Sequence, residues 1–163
     1  MSNYNEIQHD LDFINYTDID INKERKFWQI YIIKVLIIVP MVCPLCNYSS
    51  ISLSNYDSLF NPIIARCNSS KCRKNLYLRK NTFLQHFPKT PTSVIMQILY
   101  YWIIEERNAS EINNILKEKL KNYSINIKTI SEILNIARYY IAFYYKNVYI
   151  IEDISDENKA ERF

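Results

Sequence analysis

All four cysteines of this 163-residue chain fall in two closely spaced pairs, C-x2-C at Cys43 and Cys46 and C-x4-C at Cys67 and Cys72. Twenty residues separate the pairs. Each short spacing suits a tight turn, or knuckle, that aims two sulfurs at one point, and two such turns form the pattern of a four-thiolate zinc site. Pro44, inside the first pair, restricts the backbone and favours a turn there. Two disulfides or four unrelated buried thiols are the competing readings. His86 is a further candidate ligand. Four thiolates leave no open position for water, so such an ion is structural. Its apparent binding energy of roughly 10–16 kcal/mol offsets the small core of the unit around it.

The segment between the knuckles must leave and return, as a β-hairpin does. Residues 49–53 and 62–67 are the strand candidates, followed by 74–80, where NLYLR alternates apolar and polar residues. A three-stranded zinc ribbon fits this order. Upstream, residues 27–42 are the most apolar stretch, but Gln29, Lys34 and Pro40 interrupt it. The uninterrupted run falls short of the ~18–20 residues that span a bilayer, so a core helix is expected and no membrane partner. The N-terminus is polar and acidic, unlike a signal peptide. That points to a reducing compartment, nuclear or cytoplasmic, where disulfides are disfavoured.

The C-terminal half reads as helical. Thr90 can cap a helix that has Pro91 at its first position, with an apolar stripe at Val94, Ile95, Ile98, Leu99, Trp102 and Ile103. Asn108 and Glu111 form a capping box for a second helix carrying Ile112, Ile115, Leu116 and Leu120. After the polar link KNYS, a third helix spans about 126–145, its apolar face including Ile127, Ile130, Ile133, Leu134, Ala137, Ile141 and Tyr145. Three such helices fit a plain bundle or a helix-turn-helix, in which Lys128 and Thr129 would face a groove. The expected class is α+β, a small β zinc ribbon followed by a three-helix, helix-turn-helix-like bundle. Its expected parts are a polar segment 1–24, a helix plus ribbon 25–88, a helical domain 89–149 and an acidic tail 150–163.

Charge is unevenly spread. Residues 29–90 hold eight basic residues against the single acid Asp57, whereas 1–28 and 150–163 are each net −3. A concentrated basic patch is the footprint of a polyanion partner, with a merely solvated lysine-rich surface as the alternative. On the first reading Arg66, Lys71, Arg73, Lys74, Arg79 and Lys80 contact DNA phosphates. The chain has no glycine, which excludes Gly-rich phosphate loops, and no small-molecule substrate is expected. Adjacent tyrosines at 100/101, 139/140 and 144/145 point about 100° apart on a helix, so one of each pair can face outward. Self-association through this half is one use for them, and covering wide helix faces is the other.

The order CPLC, ARCNSSKCRKNLYLRKNTFL, KTPTSVIMQILYYW, NIKTISEILNIARYYI resembles the N-terminal half of Merlin-type cut-and-paste transposases and their bacterial insertion-sequence relatives. The resemblance covers about residues 25–145. It rests on Arg79, Lys80, Asn81, Thr82, Phe83 and Leu84 after the knuckle, on Ile98 to Trp102, and on Lys128, Thr129, Ile130 and Arg138. It implies a DNA-binding zinc ribbon and helix-turn-helix, with Arg138 added to the DNA-contacting set. The family's catalytic part is a downstream RNase H-like domain with three metal-holding acids. The chain stops before one, so the resemblance implies a truncated or degenerate portion and no enzyme, with no catalytic residue assigned. A zinc-stabilised protein-interaction module is the alternative.

Overall fold

The computed structural model describes residues 12–36 and 39–160. Residues 1–11 of the polar segment expected at 1–24 and residues 37–38 of the apolar stretch lie outside the described residues.

Asp20 starts the first helix, α1 (Ile21–Phe27), by accepting the N–H groups of Asn22 and Lys23 at 2.8 and 3.0 Å. The coil then widens into a π-helical run, Trp28–Leu36. Phe27, Trp28 and Ile32 are fully buried. The helix expected within 27–42 therefore begins earlier, at Ile21.

Three strands form an antiparallel sheet in chain order: β1 (Ile51–Asn55), β2 (Ile63–Cys67) and β3 (Asn75–Tyr77). The central strand is buried except at Arg66. Ile63 and Ala65 enter the main core with Leu78, Leu84 and Phe87. The third strand is shorter than the expected 74–80. It ends at Tyr77 because Leu78 and Arg79 turn into the interior, each only 4% exposed.

The helical half consists of α2 (Thr92–Ile103), α3 (Ala109–Lys119) and α4 (Ile127–Ala160). The capping box forms as its sequence signature requires. Asn108 Oδ1 accepts the N–H groups of Ser110 and Glu111, and Glu111 accepts that of Asn108 at 2.9 Å. On α2, Val94, Ile95, Ile98 and Tyr101 are buried, Leu99 and Trp102 partly so, and Ile103 is exposed. The buried stripe is thus turned toward Tyr101 from the one expected. On α4, Ile130, Ile133, Leu134 and Ala137 are buried, whereas Ile127, Ile141 and Tyr145, expected on the core face, are exposed. This helix runs past residue 145 to Ala160, crossing the boundary expected at 149/150.

The α3–α4 link, residues 120–126, is held by the N-terminal segment. Asn122 exchanges two hydrogen bonds with the backbone of Ile19, at 2.8 and 2.9 Å, and Lys121 N–H donates to Thr17 at 2.9 Å. One buried cluster joins Phe13, Phe27 and Trp28, the sheet's inner residues and all three long helices. It crosses the divisions expected at 24/25 and 88/89.

The joint between these parts is polar. Pro91, not Thr90, occupies the N-cap of α2, and it has no side chain that can accept. Glu24, 1% exposed and 68 residues upstream, does the capping instead. Its carboxylate accepts the N–H groups of Thr92 and Ser93, at 3.1 and 3.2 Å, and the Ser93 hydroxyl. The Thr92 hydroxyl in turn accepts from Arg79 Nη2 at 2.7 Å and Trp28 Nε1 at 3.0 Å.

Burial pushes the Glu24 carboxyl up to about 7, against the lowering by Ser93, Arg79 and Thr92. The folded protein therefore holds this proton more tightly than the unfolded chain. The resulting contribution to stability is full below the ordinary value of 4.5 and is lost as pH rises through 7. Denaturant titrations of the wild type and of Glu24→Gln should show it. The wild type should lose on the order of 3 kcal/mol more than the variant between pH 5 and pH 8. Parallel profiles for the two proteins would contradict this assignment.

Candidate metal centre

The two knuckles are built by backbone hydrogen bonds. In the first, Asn47 N–H donates to Cys43 O at 2.8 Å and Cys43 N–H to Tyr48 O at 2.9 Å. In the second, Cys72 and Arg73 both donate to Ser69 O, at 3.2 and 3.0 Å. That single turn takes up the extra residues of the C-x4-C spacing. Cys67 closes β2, paired in register with Ile51, and its N–H donates to Lys74 O at 3.1 Å. The Asn68 side chain bridges Ser50 and Ser52 of the neighbouring segment, both at 2.9 Å. The residue after each pair has a left-handed backbone, with φ of 58° at Asn47 and 45° at Arg73. Glycine usually fills such positions, and the chain has none. Asn tolerates the conformation, whereas Arg73 adopts it at a cost of roughly 1–2 kcal/mol.

These turns bring all four sulfurs within 4.8 Å of one another. Cys43 and Cys72 are 3.9 Å apart at sulfur, and Cys46 and Cys67 are 3.5 Å apart. Every cysteine is a free thiol. The spacings far exceed the ~2.05 Å of a disulfide bond, so the disulfide reading is set aside. Cys43 and Cys67 are buried, Cys72 is half-buried and Cys46 faces solvent. The four thiols lie close enough together to serve as donors to one metal ion.

The electrostatics differ from sulfur to sulfur. The N–H groups of Leu45, Tyr48 and Ser69 hydrogen-bond the sulfurs of Cys43, Cys46 and Cys67, in each case from two residues further on. For Cys43, the Leu45 N–H is the largest influence and brings the thiol down to about 7. At Cys46 the Tyr48 N–H also lowers, but desolvation and the three neighbouring sulfurs outweigh it and push the thiol up to about 12. Burial is the largest cause of the rise at Cys67. Sulfurs this close cannot all hold negative charge without a cation between them.

His86 does not join the donors. Its Nε2 lies 3.2 Å from the Tyr140 hydroxyl. Among the residues expected to meet phosphate, Arg66, Lys71, Arg73, Lys74 and Lys80 are exposed on β2, on the second knuckle and after β3. Arg79 is not available to a partner. Its guanidinium donates to Phe87 O at 2.7 Å, Thr90 O at 2.8 Å and Thr92 Oγ1, and it lies 5.9 Å from the Trp28 ring. Burial lowers it to about 10, so it stays charged at neutral pH.

Lys128 is exposed in the first turn of α4. Thr129 lines a cleft of about 280 Å³ with His86, Lys89, Tyr123, Asn126 and Glu132. Arg138 is exposed but stacked 5.1 Å from the Trp102 ring, and it donates to Asn135 at 3.0 Å. Sequence reasoning missed Glu24. Its spacing of three and four residues from Phe27 and Trp28 put it on their buried face, and that was the available signal.

Comparison with family models, curated proteins and solved structures finds no match to this chain.

The contrast between neighbours Arg79 and Lys80 is directly measurable. Arg79→Ala strips a donor from three buried acceptors, leaving Phe87 O with only the Thr90 N–H and Thr92 Oγ1 with only Trp28 Nε1, and should cost on the order of 3 kcal/mol in denaturant unfolding. Lys80→Ala should stay within about 0.5 kcal/mol of the wild type. Equal, small losses for both would mean that Arg79 is not the buried anchor described.

Proposed function

We propose that Cys43, Cys46, Cys67 and Cys72 hold one structural zinc ion, and that the protein is a DNA-binding module of the transposase-like kind its sequence resembles. The observation that carries this reading is the convergence of four sulfurs within 4.8 Å. Zn–S bonds of about 2.3 Å in a tetrahedron place sulfurs roughly 3.8 Å apart, and the two closest-described pairs sit at 3.5 and 3.9 Å. The ion would complete the unit by neutralising the crowded thiolates and tying both knuckles together.

Arg66, Lys71, Arg73, Lys74 and Lys80 surround that unit with exposed positive charge. Lys128, Thr129 and Arg138 supply a second, sparser set on α4 for the groove-facing role. The reading assigns the chain no strand-cleavage chemistry. A second reading, a zinc-stabilised protein-interaction module, is favoured by the exposure of Tyr139, Tyr140 and Tyr144 along α4.

Metal analysis of purified protein should give one zinc per chain. A strong chelator should then remove both the sheet signal in circular dichroism and the affinity for labelled DNA. Five neutralised phosphates give a slope of log Kobs against log salt between about −3.5 for single strands and −4.5 for duplex. A zinc-loaded protein that shifts no DNA at low salt would leave the interaction-module reading in its place.

A further inference from the structure

The outer face of the sheet carries residues that packing does not explain. Successive residues of a strand face opposite sides. With Ile63 and Ala65 in the core, Ile64 and Arg66 belong to the other face. The register sets Arg66 across from Ser52 and Asn75, and Ile64 across from Ser54 and Tyr77. Tyr77 is 51% exposed. Its ring meets that of Tyr56 edge-on at 6.2 Å and 77°. An aromatic ring is thus held in a fixed orientation, diagonal to the Arg66 guanidinium. Lys74 stands next to the start of β3, Lys71 and Arg73 lie in the adjoining knuckle, and Lys80 follows Tyr77 by three residues, all exposed. Asp57, beside Tyr56, is the sole acid in residues 29–90.

We propose that this face is a platform for single-stranded nucleic acid, with one base stacked on Tyr77 and phosphates held by Arg66, Lys71, Arg73, Lys74 and Lys80. The proposal rests on the nucleic-acid reading above and names the form of the partner. An exposed ring beside a cationic track is the combination that binds single strands, because an unpaired base offers its π-face. A duplex hides those faces in its stack and shows only edges and phosphates. Three strands also span roughly 10 Å between outer backbones before side chains are counted, too broad for the ~12 Å major groove that admits a two-stranded ribbon. The exposed part of this face, at Arg66 and Tyr77, accepts a splayed base instead, Ile64 on the same face being buried.

Fluorescence anisotropy of the zinc-loaded full chain, with labelled 12-mers of dT, of rU and of mixed-sequence duplex, tests this. Single strand should bind at least tenfold tighter than duplex, and the stronger of dT and rU identifies the polymer. Tyr77→Ala should weaken single-strand binding by about 5- to 150-fold and leave duplex binding within about twofold. Tyr77→Phe keeps the ring and should retain most of the affinity. Unchanged zinc content in both variants shows that the unit has not simply unfolded. Lys74→Ala should weaken both forms alike. Duplex binding as tight as single-strand binding, or an unaffected Tyr77→Ala, would overturn the platform and leave the DNA-binding reading standing. Failure to bind any of the three probes would overturn both.

Discussion

Four sulfurs gathered at one point constrain everything around them. The chain must pass through that point twice, at residues 43–46 and again at 67–72, and the β1–β2 hairpin is the excursion between the visits. This closure sets the register that places Cys67 across from Ile51 and sends Ile63 and Ala65 inward. The same register sends Arg66 outward, among the knuckle's lysines and arginines. So small a sheet buries too little on its own, and a single inward face must both close on the thiols and pack on the helices.

A second constraint ties the sheet to the helical body. The start of α2 lacks a cap of its own, and Glu24 supplies one from the first helix. Arg79, leaving β3, reaches the same turn through Thr92 and fixes the chain between Phe87 and Thr90. Burying two opposite charges without direct contact has an energetic cost, offset by backbone hydrogen bonds to each. Their shared acceptor and donor, Thr92, makes sheet, first helix and α2 into one packed unit. Gln97 is a further fully buried polar group of this interior.

What could be read from the sequence was what is local. Cysteine spacing and the Asn108–Glu111 capping box depend on residues a few positions apart and appear as written, and the alternation around β3 holds only from Asn75 to Tyr77. Arg79 was misjudged because its charge and its setting among basic neighbours resemble a phosphate contact, while its burial is decided by Phe87, Thr90 and Thr92. Thr90 was a reasonable cap by type, yet a carboxylate 68 residues away takes the role. Periodicity places Ile141 and Tyr145 on the core face of α4, but both are exposed, because periodicity gives a helix's apolar face and not how far along the helix that face is covered. The left-handed turn at Arg73, unlike that at Asn47, carries no sequence signal.

Everything in the proposed function depends on four thiolates sharing one metal ion. X-ray absorption at the zinc edge on the loaded protein tests it most directly. Four sulfur neighbours at about 2.3 Å and no nitrogen or oxygen ligand are expected. A first shell containing nitrogen or oxygen, or fewer than four sulfurs, would contradict it.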